Sequence, residues 1–230
     1  GRVRVTGTVT SVLAVDRAEL LVLPVVVDGA PHLAVADAAV PGVSRSRTTT
    51  LDATRPVGTL VLDGVPASPA AAPGAAETAL QHALTVGAAL LASEQLAVAE
   101  RALEETVGYL KVRHQFGRPI GSYQALRHRA ADLWADIAAT RAAARYAASA
   151  VAEGSPDAAV AASLAQAFCG DVAVRAAEDC VQMHGGIGFT WEHPAHLYLK
   201  RAMSANLLLG TPDRHRTHLA TLVGLPPAAL

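Results

Sequence analysis

The chain of 230 residues has little aromatic character, little cysteine and almost no net charge. Aromatics are 4% against 51% hydrophobic residues, and alanine fills much of the difference. That balance suits helices packed closely through small side chains, alanine being the strongest helix former. With 19 Lys+Arg against 20 Asp+Glu the formal charge is −1, which argues against a general nucleic-acid binder, because phosphate neutralisation needs a surplus of clustered cations. No 18 apolar residues run together without a charge or a proline, so no transmembrane helix is expected. The length allows one or two domains with a full core. These features describe a soluble, neutral, mostly helical protein.

No methionine begins the chain, and no basic segment leads into an apolar run with a cleavage site. A cytoplasmic location is expected. Gly1-Arg2-Val3-Arg4-Val5 already reads as mid-strand, which points to a chain whose first part is missing. The two cysteines, Cys169 and Cys180, fall in one predicted helix, about 16 Å apart along its axis. A disulfide needs Cα atoms within about 7 Å, so they cannot bridge each other. Without a CxxC pair or HxxxH spacing no metal site is expected, and both read as small buried hydrophobes in a reducing compartment.

Residues 1 to about 68 read as β-structure. Val3 to Val12, Leu20 to Val27, His32 to Val40, Thr48 to Leu51 and Thr59 to Leu62 are candidate strands, with Asp28-Gly29 a hairpin turn between the second and third. Asp63-Gly64 ends the last strand, and the three prolines of Pro66 to Pro73 read as a stiff linker. Residues 69–230 read as a helical bundle. Its first helix spans about Gly74 to Val112, with Leu80, Leu84, Leu91 and Val98 as the apolar stripe. A second runs from near Ile120 to before Gly154, with Leu126, Ala130, Leu133 and Ile137 inward. A third is capped by Ser155-Pro156 and ends near His184, with Val160, Leu164, Phe168 and Val172 buried. Two shorter helices, about Pro194 to Leu208 and Thr211 to Leu222, complete the pattern.

Two segments are more specific. Arg113-His114-Gln115-Phe116-Gly117-Arg118-Pro119-Ile120-Gly121-Ser122-Tyr123-Gln124 lies between the first two helices, and Gln182-Met183-His184-Gly185-Gly186-Ile187-Gly188 ends the third. Arg113 offers a planar fork for a pyrophosphate. Gly185 and Gly186 let backbone N–H groups approach a ligand closely. Phe116 offers a flat apolar face, and Gln115, Gln124 and Gln182 offer orienting hydrogen bonds. Taken singly, Phe116 reads as core, Gly185-Gly186 as a helix cap and Arg113 as surface. Taken together they read as a cofactor-binding constellation.

In their R-x-Q-F-G-x-x-I-x-x-x-Q and Q-x-x-G-G-x-G spacing, and in the order strands, helices, the chain resembles the acyl-CoA dehydrogenase family. Leu51-Asp52-Ala53-Thr54-Arg55-Pro56 resembles it more weakly. The resemblance implies an α+β chain: a partial β-sheet middle domain followed by an antiparallel C-terminal helical bundle, the N-terminal helical domain being absent. It implies that Arg113, Gln115, Phe116, Gln124, Gln182, Gly185 and Gly186 hold the adenosine and pyrophosphate part of an FAD bound mainly by a neighbouring subunit. The family reaction removes an α-proton and a β-hydride from an acyl-CoA thioester.

The base for that reaction has no counterpart in the pattern. Where the family usually has an E-G-T-x-Q string, this chain has Leu209-Gly210-Thr211-Pro212-Asp213. The alternative position on the first bundle helix falls at Gly87, and Glu94, two turns on, is either a relocated base or a structural ion pair. Where the family has a W-I-T-like stretch against the flavin ring, this chain has Ser11-Val12-Leu13. No catalytic residue is therefore assigned. The resemblance is strongest to the non-catalytic subunit of the actinobacterial heteromeric (α2β2) acyl-CoA dehydrogenases of steroid side-chain catabolism, whose related partner holds the glutamate and most of the acyl-CoA. A self-sufficient enzyme using Glu94, and a non-enzymatic CoA- or partner-binding protein, are the alternatives. His184 reads as structural, and Trp134 and Trp191 as packing residues.

Overall fold

The structure is a computed structural model that describes residues 3–225; the mid-strand reading of Gly1 and Arg2 lies outside the described residues. Contacts group the chain into two compact units, Gly1–Ala83 and Leu84–Leu230.

The first unit is an antiparallel sheet of five strands, β1 (Val3–Leu13), β2 (Leu20–Val27), β3 (Ala30–Asp37), β4 (Val43–Thr48) and β5 (Val57–Ala71), in the order β1-β5-β3-β2 with β4 also paired to β5. Asp28 and Gly29 both have positive φ (50° and 80°), the signature of the tight turn expected from Asp-Gly. The fourth strand lies at Val43–Thr48, earlier than the Thr48 to Leu51 expected, because Thr49 to Pro56 is occupied by a loop built on Asp52, whose carboxylate accepts from the Thr54 amide and hydroxyl.

The linker expected at Pro66 to Pro73 is a strand as far as Ala71. Asp63-Gly64 is not a terminus but a bulge: Leu60 and Leu62 face the core before it, Val65 and Ala67 after it. One extra residue, with Gly64 at φ 58°, moves the period-two pattern by one place so that both halves of β5 bury their apolar residues.

The second unit contains most of α1 (Ala75–Val112), the two-residue strands β6 (His114–Gln115) and β7 (Arg118–Pro119), and the helices α2 (Gln124–Ala152), α3 (Ala158–His184), α4 (Ala195–Leu207) and α5 (Pro212–Leu222). Thr211 caps α5, its hydroxyl accepting from the Arg214 amide at 3.3 Å. α3 starts two residues later than the Ser155-Pro156 cap implies, since the Ser155 hydroxyl accepts from the Asp157 amide and closes a turn first.

Of the expected apolar stripes, Leu91, Leu133, Ile137 and Val172 are buried, and Val98 and Ala130 pack against the core, but other members are not. Leu80 and Leu84 of α1 and Leu164 and Phe168 of α3 are largely exposed. The buried face of α3 is instead made of Ala161, Ala162, Ala165, Cys169, Ala173, Ala176 and Ala177 with Val172, against Ala144, Ala147 and Ala150 of α2 and Ala88, Ala89 and Ala92 of α1. Small side chains let helix backbones approach, so the alanine face becomes the seam and the bulkier face is turned outward. α1 and the stretch Ala158–Phe189 are long and apolar enough by composition to cross a bilayer, with 33% and 56% of their apolar windows buried within the chain.

Candidate functional site

The first specific segment folds as a hairpin at the end of α1. His114 pairs with Pro119 and Gln115 with Arg118, and the two residues between, Phe116 and Gly117, have φ of 52° and 80°. Such a turn favours Asn-Gly; a bulky residue at its first position is strained by about 1–2 kcal/mol. Phe116 is 92% exposed as well, so its ring contributes nothing to the core and the expectation that it could be a core residue fails. The base of the hairpin is firm. The Ile120 amide donates to the Arg113 carbonyl at 2.8 Å, the Tyr123 hydroxyl to the Gln115 carbonyl at 3.3 Å, and the Arg118 guanidinium sits 4.0 Å from the centre of the Tyr123 ring. Gly121 packs on the Leu110 carbonyl, where a Cβ would stand only 2.8 Å away. A strained, solvent-facing ring on a well-anchored turn is a displayed surface.

The second segment ends α3. Gly185 turns the chain at φ 63°, its amide donating to the Gln182 carbonyl, and a short 3-10 turn follows over Gly185–Phe189. The space outside Gly185 and Gly186 is open: a Cβ on either would meet nothing within 4 Å. Gly188 closes the turn from within, where a Cβ would lie 2.5 Å from the Val181 carbonyl oxygen. Among the described residues, the side chains of Arg113, Gln115, Gln124 and Gln182 have no hydrogen-bond partner in the chain, and all four are exposed.

Sequence reasoning missed what joins the two segments. His184, only 3% exposed, lies between two rings: Tyr109 of α1 at 4.4 Å, stacked at 29°, and His193 at 4.2 Å. Its Nδ1 is 2.6 Å from the Cys180 carbonyl, which places the proton there and leaves Nε2 as the acceptor. Burial pushes its pKa down, helped by His193 and opposed by the Cys180 carbonyl and Glu105. The thiols beside these helices are not nucleophiles. Burial pushes Cys169 up to about 12 and Cys180 upward too.

Leu209 and Gly87, the two positions at which a base was sought, meet in space. A Cβ built on Gly87 would stand 3.0 Å from the Leu209 Cδ1. Neither residue can accept a proton. Glu94 is engaged elsewhere: its two carboxylate oxygens accept from the Arg201 guanidinium of α4 at 2.8 and 3.0 Å, a bidentate pair. Glu104 and Glu105 pair with Arg101, and Glu100 with Arg141. No group of three or more His, Cys, Asp or Glu suited to a metal ion occurs among the described residues.

Trp134 and Trp191, expected to pack, are mostly exposed, Trp191 lying under the Lys200 ammonium at 4.3 Å. In the sheet unit, Ser11 sits at φ 58° in a bulge between Val9 and Val12, so the Ser11-Val12-Leu13 stretch is irregular strand with no aromatic ring.

The family profile of the acyl-CoA dehydrogenase C-terminal domain matches residues 77–223. The chain is 49% identical over 140 residues to acyl-CoA dehydrogenase IpdE2 of Mycobacterium tuberculosis, a match covering 61% of this chain and 40% of that protein. Among solved structures it superposes on a variant of the Tcur3481-Tcur3483 steroid ACAD with a TM-score of 0.84 at 33% identity, covering 97% of this chain and 60% of that one. It superposes on the ChsE4-ChsE5 complex of Mycobacterium tuberculosis with a TM-score of 0.85 at 29% identity, covering 98% and 61%. The chain thus spans well under two thirds of the length of each.

Proposed function

Because the chain belongs to the acyl-CoA dehydrogenase family, we propose that it is a subunit of a heteromeric FAD-dependent acyl-CoA dehydrogenase, completing a partner's FAD site and lacking a base of its own. The observation that supports this reading is an asymmetry. The two family positions for the base converge on one spot and are filled by Leu209 and Gly87, whereas the segments a chain presents to a neighbour are intact and open. A homo-oligomer that had lost its function would have no reason to keep the second set.

The residues fit the cofactor assigned to them. The Arg113 guanidinium takes pyrophosphate oxygens, the open backbone at Gly185 and Gly186 admits a phosphate or ribose without a Cβ in the way, and Gln115, Gln124 and Gln182 supply hydrogen bonds the chain itself does not use. Phe116 presents a face to the adenosine end. The chemistry FAD supplies when bound is acceptance of a hydride from the acyl β-carbon. This chain's part is to bind and orient; the proton at the α-carbon falls to a carboxylate of a related partner, which also binds most of the acyl-CoA. An α2β2 heterotetramer in the cytoplasm is the assembly proposed, with the helices from α1 onward facing the partner. Its substrate class is a steroid-CoA, supported by the likeness to a steroid ACAD.

The test is Arg113→Ala in the purified complex. Flavin is expected to be released, read by loss of visible absorbance after gel filtration, with the two chains still associated. Full retention of flavin by that complex overturns the proposal.

A further inference from the structure

A Cβ on Gly185 or Gly186 would meet nothing within 4 Å among the described residues, and the Arg113 hairpin is attached at the last turn of α1, where the Arg113 amide donates to the Tyr109 carbonyl at 2.9 Å. The ring of that same Tyr109 stacks on His184, the residue immediately before Gly185, and the outer face of His184 is covered by His193. The stack therefore runs from the root of one cofactor-holding segment to the root of the other. His184 is also tied within its own helix, by Nδ1 to the Cys180 carbonyl.

We propose that His184 is a positioning residue that sets the placement of the Gly185-Gly186 turn relative to the Arg113 hairpin, and that its protonation beside His193 loosens this placement and with it the hold on the flavin. The proposal rests on the flavin-completing reading given above.

The groups around the pair decide the direction. His184 faces Cys180 on its own helix, Tyr109 and Glu105 on α1, and His193 across the stack; Arg101 and Glu104 line the same cleft, of about 330 Å³, onto which both imidazoles open. Glu105 favours a proton on His184, but the larger effect, burial, opposes it, and so does His193. Two imidazoles with centres 4.2 Å apart do not both charge without repulsion. Above the ordinary histidine range His184 is neutral and the stack is closed. As pH falls below about 6.5 a proton enters at the expense of the stack.

The test uses the assembled complex, with FAD as the probe. His184→Ala is expected to weaken FAD retention about two- to tenfold, the effect of losing a ring stack. His184→Phe keeps a ring and cannot titrate, so it is expected to hold FAD within about twofold of the wild type at neutral pH and to lose the decline in retention between about pH 8 and about pH 5. If His184→Ala fails to fold, His193→Ala, at a less buried position, removes the other ring that covers His184 and is expected to weaken FAD retention in the same range of about two- to tenfold. FAD retention unchanged in His184→Ala, or wild-type pH dependence in His184→Phe, overturns the proposal. Hydrogen exchange on the flavin-free complex separates it from the broader reading. Loss of protection at 113–119 together with 185–190 in His184→Ala is expected, and loss confined to 185–190 overturns the coupling whatever the flavin does. If exchange is coupled but neither His184→Ala nor Arg113→Ala alters flavin retention, the flavin reading fails and the hold on flavin proposed for His184 fails with it.

Discussion

Glu94 separates a carboxylate that does chemistry from one that holds helices together. Bound on both oxygens by Arg201, it has its lone pairs committed to a cation, which makes a poor proton acceptor. Glu94→Gln is expected to destabilise the fold by about 1–3 kcal/mol in urea titration while leaving turnover by the flavin-loaded complex unchanged. A complex that keeps its flavin but loses turnover would make Glu94 the base. Cys169 and Cys180 are expected to resist a thiol-modifying disulfide at about pH 8 in the folded chain and to react once unfolded, since burial keeps both protonated. His184 and His215 give a pH dependence of known sign. Burial lowers both pKa values, with His218 and Arg214 adding to the effect at His215. Each group binds its proton more readily unfolded than folded, so stability is complete above about pH 6.5 and is lost as pH falls below it. Thermal midpoints measured between about pH 8 and about pH 5 are expected to fall, and a flat profile would contradict the burial of these rings.

At the scale of elements, the Phe116 turn sets stability against function. Phe116→Asn replaces a bulky residue in the left-handed region by one that tolerates it, and no buried area is lost. The chain alone is expected to gain up to about 1 kcal/mol, while the complex holds flavin less tightly. A loss of stability on that substitution would show that the ring is packed after all. The Arg113 segment and the Gly185-Gly186 turn stood out in the sequence through their residue types, but the sequence placed the first only between two helices and did not show that it is a hairpin. The Asp28-Gly29 turn was legible because backbone geometry demands its residue types. Asp63-Gly64 was not, because the same dipeptide that turns a hairpin also makes a bulge, and only the pairing of β5 with β1 on both sides decides between them. The stripes held at Leu91, Leu133, Ile137 and Val172 but misled at Leu80, Leu84, Leu164 and Phe168, because periodicity marks large apolar residues whereas much of this bundle packs through alanine. The Tyr109–His184–His193 stack was hidden for want of any sequence rule linking a tyrosine on α1 to a histidine 75 places on.

At the scale of the whole molecule, two regions of the chain contrast. Neither Gly87 nor Leu209, which meet in space, carries a carboxylate, and Ser11-Val12-Leu13 gives the sheet no ring at that stretch. The surfaces around Phe116 and Gly185 remain open. If the chain completes a partner's site as proposed, it is active only in the company of another, so the most direct measurement is the ratio of FAD to protein. The chain is purified alone and as the complex formed with a related subunit that has an intact glutamate. One FAD per pair of chains, with little or none on this chain alone, is the predicted result. Two FAD per pair, or a yellow and active assembly of this chain by itself, would contradict it.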